Sequence, residues 1–169
     1  LNEALDAGPI FSQRTVDIAP DEDAQVLGLR LAHVGAEQLV EAVDALSAGR
    51  AAPTPQDDAQ ASFAPKLTKA QGRIDWRQPA VGIAQLVRAT MPWPGASTEW
   101  RGRGLKIWSV SALDAGQHVG RGRPGTVVRV DAEAISVAAG DGIVVIHEVQ
   151  PAGRRRMPQP ALHGWHRHA

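Results

Sequence analysis

The residues best suited to chemistry fall into two sets. The first is a single carboxylate, Asp6, in the turn Leu5-Asp6-Ala7-Gly8-Pro9 beside an extended segment from Ile10 to Val16. A sheet can hold such a turn rigidly, and an aspartate there can shuttle a proton. The same string also reads as an Asx turn in which Asp6 satisfies its own backbone. The second set is three arginine clusters: Arg101 and Arg103 among glycines, Arg121 and Arg123 among glycines, and Arg154-Arg155-Arg156. A planar guanidinium matches two phosphate oxygens, so clustered arginines suit RNA or DNA. Ordinary solvated loop charge is the alternative.

Other candidates carry less. Trp76 and Trp93 stand beside cations at two turns, where they can stack on bases or anchor a helix to a core. His163, His166 and His168 have no cysteine or acidic partner at ligand spacing and read as a frayed tail, so no metal site is expected. P-loop, Rossmann-glycine, HExxH and GxSxG motifs are absent. The chain therefore shows no complete active site.

These residues need elements to position them. Pro20-Asp21-Glu22-Asp23 supplies a cap and an acidic first turn. Helical spacing follows through Leu27, Leu31 and Val34, is interrupted at Gly35, and resumes at Leu39, Val43 and Leu46, which predicts a kinked helix or two short ones ending at Gly49. Residues 50–65, with Pro53, Pro55 and Pro65, read as a linker. Pro79 opens a short helix to about Thr90 with Ile83, Leu86 and Val87 on one face, and Met91-Pro92-Trp93-Pro94-Gly95 ends it. Five short strands are then expected: Thr98–Trp100, Leu105–Val110, Thr126–Val130, Ile135–Ala138 and Ile143–Val149. Such a set suits a small OB-like barrel.

A chain of 169 residues with 43% hydrophobic and 21% charged residues has an ordinary globular balance, so a core should form. With no cysteine, disulfides and thiolate chemistry are excluded. No apolar run nears the roughly 20 residues that span a bilayer, and no signal peptide is recognisable. The expectation is a soluble, cytoplasmic chain without membrane partners. Because position 1 is Leu1, a piece of a larger protein is also expected.

The zero net charge conceals an asymmetry. Residues 1–65 hold 3 Lys/Arg against 11 Asp/Glu, or −8, and residues 66–169 hold 15 against 7, or +8. The basic part predicts a polyanionic partner, unless the two parts simply attract each other.

Several strings, taken in order, resemble one family. They are Leu5-Asp6-Ala7-Gly8-Pro9-Ile10, Pro53-Thr54-Pro55-Gln56-Asp57, Phe63-Ala64-Pro65-Lys66-Leu67-Thr68-Lys69, Arg73-Ile74-Asp75-Trp76, Ile83 to Arg88-Ala89, Pro92-Trp93-Pro94-Gly95-Ala96, Leu105-Lys106-Ile107-Trp108 and Gln150-Pro151-Ala152-Gly153-Arg154-Arg155-Arg156-Met157. Together they resemble methionyl-tRNA formyltransferase over residues 1 to about 157.

The resemblance implies an α/β fragment, the end of a Rossmann-like formyltransferase domain, in residues 1–49. It further implies a linker at 50–65, an OB-like, tRNA-binding C-terminal domain at 66–157, and an unassigned tail at 158–169. It gives Asp6 the role of one of three catalytic groups, aiding proton transfer as the methionyl amine attacks the formyl group of 10-formyltetrahydrofolate. The other two, an asparagine and a histidine, lie upstream of this sequence, as does most of the folate site. Residues 1–169 alone are therefore expected to be inactive. The implied partners are initiator methionyl-tRNA and the remaining part of the catalytic domain, with the protein a monomer acting in translation initiation.

Ser97 stands where the family usually has an aromatic residue and Phe63 where it has a tyrosine, while Pro158 and Pro160 interrupt the family's terminal helix. Two other readings share some of these elements: a folate-dependent formyltransferase acting on another acceptor, such as a sugar, and a non-catalytic OB-like RNA-binding module. The arginine-rich stretch and the basic surplus favour tRNA over a nucleotide sugar.

Overall fold

A computed structural model describes residues 5–114 and 122–158. The chain forms two compact units, Leu1–Lys66 and Leu67–Ala169.

The first unit is built on helix α1, Ala24–Ser47. Asp23 caps it, its Oδ1 accepting from the Val26 N–H at 2.9 Å. Gly49, at φ 66°, ends it where the Arg50 N–H returns to the Ala45 carbonyl at 2.8 Å. The break expected at Gly35 does not occur, because the cost of one glycine, about 1 kcal/mol, is small against the bonds of a continuous helix. Nor does the segment from Ile10 to Val16 become a strand. An extended segment needs a neighbour to accept its ladder, and among the described residues only Thr54 does so, at a single bridge to Ile10. No described residue from Leu5 to Lys66 is buried. Arg14 pairs with Glu37 and Glu41, and Arg30 with Glu22, all between side chains of this unit.

The second unit holds the core. A 3-10 turn at Lys69–Gly72 leads to helix α2, Ala80–Ala89, whose Ala80, Ile83, Ala84 and Val87 repeat at i, i+3, i+4 and i+7 and are buried. Asp141, far along the chain, caps α2 by accepting from the Ala80 N–H at 2.9 Å. After the cis peptides Met91–Pro92 and Trp93–Pro94 come strands β1 (Ala96–Trp100), β2 (Arg103–Asp114), β3 (Val127–Val130), β4 (Ile135–Ala138), β5 (Gly142–Pro151) and β6 (Met157–Pro158). All pairings are antiparallel, in the order β1-β2-β5-β4-β3, with β6 added to β5. Helix α2 packs on β2 and β5, so Ile83 and Val87 meet Ile107, Val144, Ile146 and Val149.

Three expectations change. Among the described residues there are six strands in place of five, β6 being a two-residue addition too short to carry a pattern. The sheet is open, since β1 and β3 do not pair with each other. They instead line one small apolar cavity of about 70 Å³ with Trp76, whose Nε1–H donates to Thr98 Oγ1 at 3.0 Å. The indole stands where a closed barrel would have its last ladder. Finally, Trp76 packs against the core, but Trp93 is 55% exposed and is not part of it.

Candidate nucleic-acid interface

Asp6 belongs to the first unit. Its φ is 55°, a left-handed conformation that aspartate tolerates better than most residues. Gln56 fixes this turn, its Nε2 donating to the carbonyls of Asp6 at 2.8 Å and Gly8 at 2.7 Å. The carboxylate itself is exposed. Gln56 was visible in the sequence only as part of a proline-rich segment; its role depends on the chain returning from 50 residues away.

The basic residues belong to the second unit. Arg101 and Gly102, at φ 51° and 72°, form the two-residue turn joining β1 to β2, with Trp100 paired to Arg103 across it. The Arg101 guanidinium lies 5.0 Å from the Trp100 ring centroid. Gly104, next in β2, accepts from the Ala152 N–H at 3.0 Å, which brings this hairpin against the turn that carries Arg154, Arg155 and Arg156. Two of the three arginine clusters are thus neighbours. Arg123 is exposed and precedes β3, at the opposite edge of the sheet, and Arg121 lies outside the described residues, as do His163, His166 and His168.

Beside the two neighbouring clusters, bordered by Gly104 next to one and Gly153 next to the other, lies an open groove of about 660 Å³. Lys69, Arg73 and Lys106 supply its cations, Glu99 its carboxylate, and Ser97, Thr98 and Gln150 its neutral polar groups. Each is there for a local reason. The 3-10 turn presents Lys69, the bridge of Arg73 to Ser97 lays Arg73 along β1, and Lys106 sits opposite both Ser97 and Gln150 on the outer face.

Beside the groove the β2–β5 ladder slips. Ile107 pairs with Val149 and Ser109 with Glu148, so Trp108 has no opposite number; Val110 then pairs with Ile146, leaving His147 without one. Such bulges re-aim side chains and recur beside functional sites. The Trp108 Nε1–H donates to Gln150 Oε1 at 3.0 Å, and Gln150 Nε2 donates to the Arg154 carbonyl at 2.8 Å. Arg156 stands 5.0 Å from the Trp108 ring centroid and Lys106 Nζ 5.8 Å from it, both within cation–π range. Arg156 also bonds Glu148 through Nε at 2.9 Å.

Not every cation is available to a ligand. Arg77 donates from Nε and Nη2 to the two oxygens of Asp75, each at 2.9 Å, and these bonds hold the Asp75 carboxyl down at about 2. Lys69, Arg73, Lys106, Trp108 and Gln150 were not singled out as site residues from the sequence. The alternation of Lys106 and Trp108 on one strand face was a signal that could have found two of them. Among the described residues no group of three His, Cys, Asp or Glu is placed to hold a metal, and no helix is long and apolar enough to cross a membrane.

A patch of this kind, cations around a groove with an aromatic ring at its mouth, can hold a phosphodiester chain. Residues 66–164 match the family described as formyl transferase, C-terminal domain. The chain is 44% identical over 158 residues to methionyl-tRNA formyltransferase of Solibacter usitatus, covering 94% of this chain and 49% of that protein. Against methionyl-tRNA formyltransferase of Roseiflexus castenholzii it is 44% identical over 154 residues, covering 91% and 48%. It spans about half the length of the curated relatives it matches. The fold is also that of HypX from Aquifex aeolicus in complex with tetrahydrofolic acid, at a TM-score of 0.72, 24% identity, 96% of this chain and 28% of that one. The chain belongs to the formyl transferase family, and residues 66–164 are that family's C-terminal domain.

Proposed function

We propose that the chain is the C-terminal part of a methionyl-tRNA formyltransferase, which moves a formyl group from 10-formyltetrahydrofolate to the amino group of methionyl-initiator tRNA. The observation that carries this is the meeting of two basic loops beside the Lys69–Arg73–Lys106 groove, with Trp108 in contact with Arg156 of the second loop and with Lys106 of the groove. In this reading residues 1–49 close a Rossmann-like catalytic domain, residues 50–65 link it onward, and residues 66–157 form an OB-like tRNA-holding domain. The arginines 101, 103, 121, 123, 154, 155 and 156 meet RNA. The protein works as a monomer in the cytoplasm.

The chemistry assigned to this chain is narrow. Asp6 accepts or relays a proton as the amine attacks the formyl carbon, and Gln56 keeps its turn in place. The unburied apolar side chains of α1, among them Leu29, Leu39 and Val43, fit a helix that packs against further parts of a catalytic domain. Groups that orient the substrate and stabilise the oxyanion belong upstream, so residues 1–169 alone do not transfer formyl groups.

Filter retention of initiator tRNA by the 169-residue chain tests the reading. Retention that weakens with salt and resists a nucleotide sugar is expected. No retention, displacement by the sugar, or formylation by this chain at a full enzyme's rate refutes it.

A further inference from the structure

Phosphate contacts position an RNA but say nothing about its bases. Trp108 adds a different surface to the same patch. It is the extra residue of the β2 bulge, and Gln150 fixes the plane of its ring through the indole N–H. Gln150 is fixed in turn by the Arg154 carbonyl, in the loop that carries the arginines. The ring is therefore held by its edge. Over it stands the Arg156 guanidinium, itself gripped by Glu148.

We propose that Trp108 is a stacking platform for one unpaired base, guarded by Arg156. This rests on reading the patch as an RNA interface. On binding, a phosphate replaces Glu148 as the partner of Arg156, and the adjoining base takes the guanidinium's place on the ring. The exchange costs little, because an ion pair with side chains 47% and 33% exposed is weak. A base stacked on an aromatic ring contributes far more and tolerates any sequence. Paired bases hide their faces within the helix, so the platform selects unpaired nucleotides over duplex. The ligand class is a single-stranded stretch of RNA whose backbone runs along the groove of Lys69, Arg73 and Lys106.

Fluorescence anisotropy with the 169-residue chain tests this, using a labelled adenosine octamer and a blunt RNA duplex of the same length at several salt concentrations. Trp108→Ala should weaken octamer binding about 5- to 150-fold, the range for one stacked base. The salt slope should not change, since stacking releases no counterions. Duplex binding should change less than twofold. Trp108→Phe keeps a smaller ring and should lose only part of the octamer affinity. Glu148→Gln should tighten octamer binding by up to about fivefold, and by more than Glu99→Gln, which removes the same charge from the groove but guards no ring.

Circular dichroism establishes that each variant is folded, and if Trp108→Ala is not, Trp108→Phe decides. Octamer affinity within twofold of the parent in the folded ring variant overturns the platform, as does equal loss for octamer and duplex. An effect of Glu148→Gln no larger than that of Glu99→Gln overturns the guard. Failure of the parent to bind any RNA, or binding indifferent to salt, overturns the RNA reading and the platform with it. Salt-dependent binding that survives the loss of Trp108 overturns the platform alone.

Discussion

Replacing Arg154 and Arg155 together with alanine should flatten the salt dependence of tRNA binding by an amount the structure sets. Eight cations line the groove or stand in the two loops beside it: Lys69, Arg73, Lys106, Arg101, Arg103, Arg154, Arg155 and Arg156. If each neutralises one phosphate, log K falls with log salt at a slope of about −5.6 to −7.2, taking about 0.7 to 0.9 counterions per contact. Between about 50 and 200 mM salt the affinity should therefore drop about 2,000- to 20,000-fold. The double variant keeps six contacts, a slope of about −4.2 to −5.4, and a drop of only about 300- to 1,800-fold. Filter binding of initiator tRNA across that salt range reads both slopes. Neither arginine side chain is buried, so the fold should tolerate the change. A parent slope shallower than about −2, or a double variant with the parent's slope, would refute the assignment of these arginines to phosphate.

Two further predictions concern the second unit. A Cβ at Gly72 would lie 2.3 Å from the Gly95 carbonyl oxygen, a backbone atom that cannot step aside, so Gly72→Ala should cost about 1–3 kcal/mol in urea unfolding. Gly82→Ala in helix α2, whose nearest neighbour would be 4.0 Å away, should instead stabilise by up to about 1 kcal/mol; equal effects would show the Gly72 contact to be unimportant. The Asp75 carboxyl should titrate at about 2 by NMR, held down chiefly by the Arg77 guanidinium. Since its folded value is depressed, its contribution to stability is present above the ordinary 3.8 and is lost as pH falls from there through about 2. Arg77→Leu should return the titration towards 3.8, and an unmoved midpoint would exclude Arg77 as the cause.

What could be read from the sequence was mostly local. The strand at Ile135–Ala138 and the helix after Pro79 have the bounds their patterns imply, because β-branched residues and proline act on their own neighbourhood. Strand β2 runs four residues past Val110 because Ser111, Ala112 and Leu113 pair with Val145, Val144 and Ile143, a partner that their own modest strand preference does not announce. Asp6 and the three arginine clusters were visible as residue types. The Trp108 patch was not, since it needs a ladder slip and a hydrogen bond to Gln150, 42 residues away. The expected barrel failed to close for a similar reason: the five longer strands are legible, but Trp76 between the two sheet edges is a tertiary event.

The charge asymmetry gains detail from the partners of four carboxylates in the second unit. Asp75 holds Arg77, Glu148 holds Arg156, Asp131 reaches Arg129 at 3.2 Å, and Asp141 caps helix α2. Residues 66–169 have only 7 carboxylates against 15 Lys and Arg, and four of the 7 are engaged in this way. That surplus is also not spread evenly: Lys69, Arg73 and Lys106 are gathered at one groove around a single carboxylate, Glu99, with Arg154 and Arg155 following its Gly153 edge. Random surface charge would interleave signs, because like charges held close together repel and cost stability. A fold that holds cations together, binds the nearby glutamate to Arg156 and aims an indole out of a bulge beside them bears that repulsion at one site. An anionic chain laid along the groove relieves it there, which is why the basic part of this sequence argues for a polyanion rather than for solubility alone.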